Sequence, residues 1–238
     1  MPLYLTAALG LGYPGSAVAQ VPVDLELLLA VDASGSVDNS EYMLQIRGIA
    51  AAFRDAEVVA ATQSGPLGQI AVQMMIWSDP HLPTASTRWH LVGDPASAEA
   101  FARTVERFPR SIIDGGTGIG NALEKAAEAL DDNDASGTRR IIDLSGDGKE
   151  NAVEGIGTLL AQARKTMELH DIGVNGLAIT GDEPGLADYY RQEVIVGPSA
   201  FVMEVESFRD FAPAIRLKLL REIRAFNFIA DVSQVSRD

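Results

Sequence analysis

Residues 23–36 read VDLELLLAVDASGS, an apolar run that ends in a carboxylate and a turn rich in hydroxyl groups. The run from Val23 to Val31 is dense in Leu and Val, which is typical of a strand buried on both of its faces. Strands of this kind belong to parallel sheets that helices cover on both sides. The sequence becomes polar at Asp32, and this predicts that the first strand ends there.

Strand-like and helix-like patterns alternate along the rest of the chain. Asp38, with Glu41 three residues later, predicts a capping box at the start of the first helix. Strands separated by helices imply right-handed crossovers, so we expect an α/β fold, doubly wound, with a mostly parallel central sheet flanked by helices. The further predicted strands are 69–77, 88–92, 140–144, 172–179 and 200–205, and the predicted helices are 42–59, 95–108, 119–130, 153–169, 186–194 and 208–228.

Composition excludes several classes of function. The 238 residues contain 19 Lys and Arg against 33 Asp and Glu, which gives a formal net charge of −14. Such an acidic surface repels phosphate backbones and anionic lipids, so we expect no nucleic-acid partner. The chain has no cysteine, which excludes disulfides, thiol nucleophiles and thiolate metal sites. No apolar run is long enough to cross a bilayer, so we expect no transmembrane segment in the mature chain.

The first 19 residues are typical of a targeting segment. Residues 1–19 carry no charged side chain, and an apolar stretch at 3–12 precedes Ala-Val-Ala at 17–19. This pattern predicts a signal peptide at 1–19, with cleavage after Ala19, although no Lys or Arg precedes the apolar stretch. A disordered leader or a buried first helix is the alternative. We therefore expect a mature single domain, 20–238, that is periplasmic or secreted.

Oxygen-bearing side chains follow the predicted strand ends. Asp32, Ser34 and Ser36 follow the first strand, Thr117 opens a helix after a glycine pair, and Asp147 follows a later strand. Ligands of doubly wound sheets bind at this carboxyl edge. Two carboxylates and three hydroxyls suit a hard divalent cation, Mg²⁺ first, with Mn²⁺ or Ca²⁺ as alternatives. The two carboxylates cancel at most the two positive charges of this cation, and the hydroxyls add no negative charge. A carboxylate of a partner can therefore supply a further anionic ligand.

Three motifs in order carry a resemblance to a known family. Asp-x-Ser-x-Ser occupies 32–36, Gly-Gly-Thr-x-x-Gly-x-Ala-Leu occupies 115–123, and Asp-Gly occupies 147–148. Over about residues 23–230 the chain resembles a von Willebrand factor A domain, in which these motifs form the metal-ion-dependent adhesion site, or MIDAS. The segment 142–151 also resembles an exported bacterial branch of such proteins whose function is unknown.

The resemblance implies a role for each matched residue. Ser34, Ser36 and Thr117 would ligate the ion directly, while Asp32 and Asp147 often act through water in this family. An acidic group of a partner would complete the coordination. The implied function is a binding or adhesion module, not an enzyme. It would dock an acidic group of a protein or extracellular polymer through a MIDAS ion.

Two positions depart from the family pattern, and one acid is unexplained. Gly146 stands where the family usually has threonine, and Ile119 stands where a second threonine is common. Neither change removes a ligand. Asp143 lies inside a strand that should be buried on both faces. It can pair with Arg139 or Arg140, or it can support the site, and the sequence leaves these possibilities open.

The alternative function is a Mg²⁺-dependent phosphatase of the haloacid-dehalogenase kind. A strand that ends in Asp32 and a later Gly-Asp-Gly also resemble that family, in which the first aspartate attacks phosphorus. Its chemistry needs a second acid two residues after the nucleophile, and here that position is Ser34. Asn151 likewise stands where a further acid is expected. A simpler reading of Ser34 and Ser36 makes them turn or helix-capping hydroxyls.

Overall fold

A seven-stranded sheet forms the centre of the protein, which a computed structural model describes for residues 19–151 and 157–235. Five parallel strands lie in the order β3-β2-β7-β8-β9, and β4 and β5 pair antiparallel with β3 at one edge. β1 and β6 form a separate parallel pair. This confirms the predicted, mostly parallel sheet. The strands are β1 Val21–Val23, β2 Leu25–Asp32, β3 Ile70–Trp77, β4 Ala85–Ser86, β5 His90–Val92, β6 Ala135–Gly137, β7 Arg140–Gly146, β8 Ile172–Ile179 and β9 Val202–Val205.

Helices cover both faces of this sheet, as a doubly wound fold requires. Helices α1, α2, α3 and α7 pack on one face, and α4, α5 and α6 pack on the other. Every residue of β2 is buried, which agrees with its nearly continuous apolar sequence. The helices are α1 Asn39–Arg54, α2 Ala56–Thr62, α3 Pro95–Glu106, α4 Ile119–Asp131, α5 Leu160–Leu169, α6 Leu186–Tyr189 and α7 Phe211–Val235.

The predicted helix at 42–59 is wrong as a single element. The chain forms α1 and α2 instead, because Asp55 is extended and its carboxylate accepts hydrogen bonds from the backbone N–H groups of Glu57 and Val58. An aspartate that caps a new helix interrupts the old one. The capping box of Asp38 and Glu41 is confirmed at the start of α1.

Three other predicted helices differ from the structure in helix type or by more than two residues at one end, and the remaining predicted elements differ by at most two residues at either end. The predicted helix at 186–194 is α6 followed by a π-helical turn, Tyr190–Val194. The helix predicted at 153–169 begins at Leu160, and residues 152–156 lie outside the described residues. The helix predicted at 208–228 is a 3₁₀ turn, Phe208–Asp210, followed by α7.

The predicted signal peptide lies outside the described residues up to residue 18. In the part of the chain that the structure describes, no helix combines the length and the apolar character needed to span a bilayer.

The carboxyl ends of two neighbouring strands meet at one edge of the sheet. β2 and β7 are parallel neighbours, with Val31 opposite Ser145. Asp32, which ends β2, and Asp147, which follows β7, therefore emerge side by side. This register brings the first and third motifs together.

Asp143, which the sequence left unexplained, belongs to a buried ionic network. This network lies on the face of the sheet that α7 covers, and α4 covers the other face. Lys218 of α7, which is fully buried, lies 2.8 Å from the Oδ1 atom of Asp143 and 2.7 Å from the Oε1 atom of Glu222. Asn175, opposite Asp143 in the register, donates a hydrogen bond of 2.9 Å to Glu222. Asp143 therefore pairs with Lys218 and not with Arg139 or Arg140, because its side chain faces α7.

This network holds two carboxylates and one ammonium group. Burial and the charge of Asp143 raise the pKa of Glu222 to about 8, although Lys218 partly opposes this shift. A protonated Glu222 leaves Asp143 and Lys218 as a neutral ion pair. The network therefore attaches α7 to β7 and β8 without a net buried charge.

We expect Glu222→Gln to reduce the pH dependence of stability between about pH 5 and about pH 8. Native Glu222 keeps its proton up to about pH 8, whereas the unfolded chain loses it near 4.5. The native state therefore binds more protons in this range, and the free energy of unfolding falls as the pH rises. Glutamine has no proton to lose. Urea unfolding at several pH values measures the effect.

The matched control is Glu168→Gln, which replaces an exposed glutamate. Its pH profile should follow that of the wild type. A Glu222→Gln profile as steep as the wild-type profile would contradict the assignment of the raised pKa.

Candidate metal centre

The loop that follows β2 forms a chain of oxygen contacts. Asp32 is fully buried, and its Oδ1 atom accepts a 2.8 Å hydrogen bond from the backbone N–H of Ser34. The hydroxyl oxygens of Ser34 and Ser36 lie 3.2 Å apart. The Ser36 hydroxyl then donates to the Oδ1 atom of Asp147 at 2.7 Å. The first and third motifs are therefore in direct contact.

The loop that carries Thr117 is held against this first loop. The backbone N–H of Gly35 donates to the carbonyl of Gly115 at 2.9 Å. The Ser78 hydroxyl, at the end of β3, donates towards the carbonyls of Asp114 and Gly116 at 2.9 and 3.1 Å. The chain segments that follow β2 and β3 thus fix this otherwise irregular loop.

Asn151 clamps the backbone of Thr117 from the other side. The Thr117 N–H donates to the side-chain oxygen of Asn151 at 2.7 Å, and the Asn151 N–H donates to the Thr117 carbonyl at 3.0 Å. Sequence reasoning used Asn151 only as an argument against a phosphatase and missed this role. The available signal was an amide side chain four residues after Asp147, in a loop at the same edge of the sheet.

Gly148 allows the Thr117 hydroxyl to approach the third motif. A Cβ atom at position 148 would lie only 3.0 Å from the Oγ1 atom of Thr117. The hydroxyl is therefore packed against the turn that carries Asp147. A side chain at 148 would push the two loops apart.

The structure brings the five predicted residues together. A cavity of about 340 Å³ is lined by Ser34, Ser36, Thr117 and Asp147, and Asp32 lies buried directly beside Ser34. The second motif thus lies beside the first and the third, as their order along the chain predicts.

The two aspartates carry charge that the protein itself does not neutralise. Burial, and then the charge of Asp147, raise the pKa of Asp32 to about 7. Burial also raises the pKa of Asp147. The Oδ2 atom of Asp32 is buried and has no hydrogen-bond partner among the residues that the structure describes. An unpartnered buried carboxylate oxygen is costly unless a cation is nearby, so the residues fit a bound divalent cation.

The donor set restricts the kind of metal. Among the described residues there is no group of three or more His, Cys, Asp or Glu side chains placed to hold a metal ion. A cation in this cavity would therefore depend on the hydroxyls of Ser34, Ser36 and Thr117. Hydroxyl and carboxylate oxygens favour Mg²⁺, Mn²⁺ or Ca²⁺ over softer metals.

The rim of the cavity is acidic. Asp182, Glu183 and Glu150 line it together with Lys149. The Nζ atom of Lys149 lies 2.6 Å from the Oε1 atom of Glu183, and this ion pair offsets the positive charge of Lys149. Asp79, a further acid near the site, accepts hydrogen bonds from the N–H groups of His81 and Gly116, and so supports the Thr117 loop.

Comparison with known proteins places the chain in a family. A family described as "Protein of unknown function (DUF1194)" matches residues 22–227. No curated protein sequence matches the chain significantly.

Solved structures share its fold at low sequence identity. The VWA domain of SpRpn10 has a TM-score of 0.55 and 14% identity, over 81% of this chain and 95% of that domain. The pilus adhesin SpaC from Lactobacillus rhamnosus GG has a TM-score of 0.59 and 16% identity, over 86% of this chain and 31% of SpaC.

A third similar structure is described as having a zinc-occupied MIDAS motif. It is proximal thread matrix protein 1 from the mussel byssus, with a TM-score of 0.55 and 16% identity. The match covers 86% of this chain and 46% of the mussel protein, so this chain spans less than half of either SpaC or the mussel protein. These likenesses confirm the resemblance to a von Willebrand factor A fold.

We expect Asp32→Asn to stabilise the metal-free protein and to abolish its stabilisation by Mg²⁺. Asparagine keeps an oxygen for the Ser34 N–H but removes the buried charge, so the free energy of unfolding in EDTA should rise by about 1–3 kcal/mol at slightly alkaline pH. Adding Mg²⁺ should raise the melting temperature of the wild type only. Thermal unfolding in EDTA and in Mg²⁺ measures both effects.

Asp132→Asn provides the control, because Asp132 is exposed at the opposite end of α4 from Thr117. It should behave as the wild type does in both buffers. A variant at Asp32 that keeps the full Mg²⁺-dependent rise would contradict the metal centre.

Proposed function

This chain belongs to the DUF1194 family of proteins of unknown function, and we propose that it is a divalent-metal-dependent binding module. In this proposal Ser34, Ser36 and Thr117 hold the cation, and Asp32 and Asp147 set its charge. The cation in turn binds an acidic group of a protein or extracellular polymer. The observation that carries the proposal is the buried oxygen of Asp32, which has no partner in the described part of the chain, next to a cavity lined by Ser34, Ser36 and Thr117.

The charge count supports a carboxylate as the docking group. Two aspartates at most neutralise a divalent ion, and the hydroxyl ligands add no charge. The bound cation would therefore keep an attraction for one more anionic oxygen. Mg²⁺ is the expected ion, and Mn²⁺ or Ca²⁺ are the alternatives, because all three prefer oxygen ligands.

The acidic rim makes the binding depend strictly on the metal. The chain has a net charge of −14, and Asp182, Glu183 and Glu150 line the same cavity as Asp147. A carboxylate that approaches this surface without a cation is repelled. The metal would supply a strong local attraction for such a group.

The burial of Asp32 argues against the phosphatase alternative. A nucleophilic carboxylate must reach the phosphorus atom, whereas Asp32 is fully buried and its Oδ1 atom is engaged by the Ser34 N–H. The position that needs a proton donor holds Ser34, whose hydroxyl contacts Ser36. The geometry supports a binding role better than hydrolysis.

We further propose that the module acts outside the cytoplasm, in the periplasm or as a secreted protein. The support is the uncharged, apolar segment at 1–19 with its Ala-Val-Ala ending. Among the proteins with a similar fold, SpaC is a pilus adhesin and the mussel protein comes from the byssus.

Titration calorimetry with MgCl₂ on residues 20–238 tests the metal site. We expect one bound Mg²⁺ in the wild type and a loss of affinity of about tenfold or more in Asp147→Ala, with little loss of fold. Asp132→Ala removes an exposed acid from the acidic cluster 131–134, whose sequence is Asp-Asp-Asn-Asp, and should leave the affinity unchanged. An unaltered affinity in Asp147→Ala would count against the site.

A capture experiment tests the binding role. Immobilised wild-type protein should retain an envelope component in Mg²⁺ and release it in EDTA, and immobilised Asp147→Ala should not retain it. Turnover of p-nitrophenyl phosphate that requires Mg²⁺ and Asp32 would instead support the phosphatase.

A further inference from the structure

Tyr190 lies in a slot formed by two glycines on neighbouring strands. A Cβ atom at Gly176 of β8 would lie 2.9 Å from the Cδ2 atom of Tyr190. A Cβ atom at Gly146, at the end of β7, would lie 2.7 Å from its hydroxyl oxygen. Both distances are too short for real side chains, so the fully buried tyrosine requires glycine at both positions.

The hydroxyl of Tyr190 reaches the proposed metal centre. The same Cβ position at Gly146 would lie 2.9 Å from the Oδ2 atom of Asp32, the oxygen that has no partner. The Tyr190 hydroxyl also lies 3.5 Å from the carbonyl oxygen of Gly148, which directly follows Asp147. The space above Gly146 is therefore shared by the hydroxyl and the buried carboxylate.

The local backbone is specialised at this residue. Tyr190 begins the π-helical turn Tyr190–Val194, and the N–H of Ile195 donates to its carbonyl at 3.1 Å. Turns of this kind often occur at functional sites. This turn follows the loop that carries Asp182 and Glu183, which line the cavity. Tyr190 therefore connects this turn to the base of the site.

We propose that Tyr190 is a positioning residue of the metal centre. Its hydroxyl fills the space that glycine at 146 leaves beside Asp32, and it supports the turn that carries Asp147. The proposal rests on the proposed function, because it concerns the same cation site. It also accounts for Gly146, the departure from the family pattern that the function itself leaves unexplained.

The physical effect is the exclusion of water and of alternative rotamers. Without the hydroxyl, a void would open beside the Oδ2 atom of Asp32, and the carboxylate could rotate into it or hydrogen-bond to water. Either change would lower the affinity for a cation, because the ligands would no longer be held in place before binding.

Tyr190→Phe tests this role, with MgCl₂ as the only ligand. We expect about tenfold weaker Mg²⁺ binding by titration calorimetry, which is the size of effect typical of residues that support metal ligands. Tyr42→Phe is the matched control. Tyr42 is equally buried, and its hydroxyl makes the same 3.5 Å contact with a carbonyl, that of Phe108.

The two phenylalanine variants should lose similar stability in EDTA, and only Tyr190→Phe should lose Mg²⁺ affinity. A merely structural tyrosine would change the melting temperature and not the affinity. Mg²⁺ affinity within about twofold of the wild type in Tyr190→Phe would overturn the inference.

A second experiment tests the shared space above Gly146 without metal. Gly146→Ala should lower the melting temperature in EDTA, because the new methyl group would meet the Tyr190 hydroxyl. Combining it with Tyr190→Phe should recover part of that loss, whereas additive losses would contradict the shared space.

The outcomes separate the two proposals. If wild-type protein binds no Mg²⁺, the proposed function fails, and the role of Tyr190 in it fails as well. If the wild type binds Mg²⁺ and Tyr190→Phe binds it equally well, only the inference about Tyr190 fails.

Discussion

The chemistry of the proposed site depends on one buried negative charge, that of Asp32 at the carboxyl end of β2. One oxygen of its carboxylate accepts a backbone hydrogen bond, and the other has no partner among the described residues. Burial raises the pKa of this carboxyl to about 7. The raised pKa shows that a buried negative charge is costly, so that the neutral form is favoured. A divalent cation in the adjoining cavity would remove that cost. The hydroxyls around Asp32 are therefore proposed as ligands of such a cation.

In the part of the chain that the structure describes, two buried pairs of carboxylates have different surroundings. Asp143 and Glu222 share an internal cation, Lys218, and need only one proton to be neutral. Asp32 and Asp147 have no Lys or Arg within ion-pair distance in the described part of the chain. The first pair therefore supports the fold by itself, while the second pair suits a cation taken from solution. This contrast separates a structural network from the proposed binding site.

Much of the fold and the site could be predicted because both follow from local pattern. The apolar run of β2 indicates a fully buried strand, and the carboxyl ends of neighbouring parallel strands must meet, which brings Asp32 and Asp147 together. The end of α1 before Asp55 could also have been predicted, since aspartate is a strong helix cap. The residues that sequence reasoning missed act through contacts between distant segments. Asn151 clamps Thr117, and Tyr190 fits over Gly146, and no periodicity encodes either contact.

The most direct measurement is the position of a metal in crystals grown with Mn²⁺, located by anomalous scattering. The proposed function predicts one ion in the cavity, within coordination distance of the hydroxyl oxygens of Ser34, Ser36 and Thr117. It also predicts a water-mediated or direct contact with both aspartates. A cavity without an ion at saturating Mn²⁺, or an ion bound only at the acidic cluster 131–134, would contradict it.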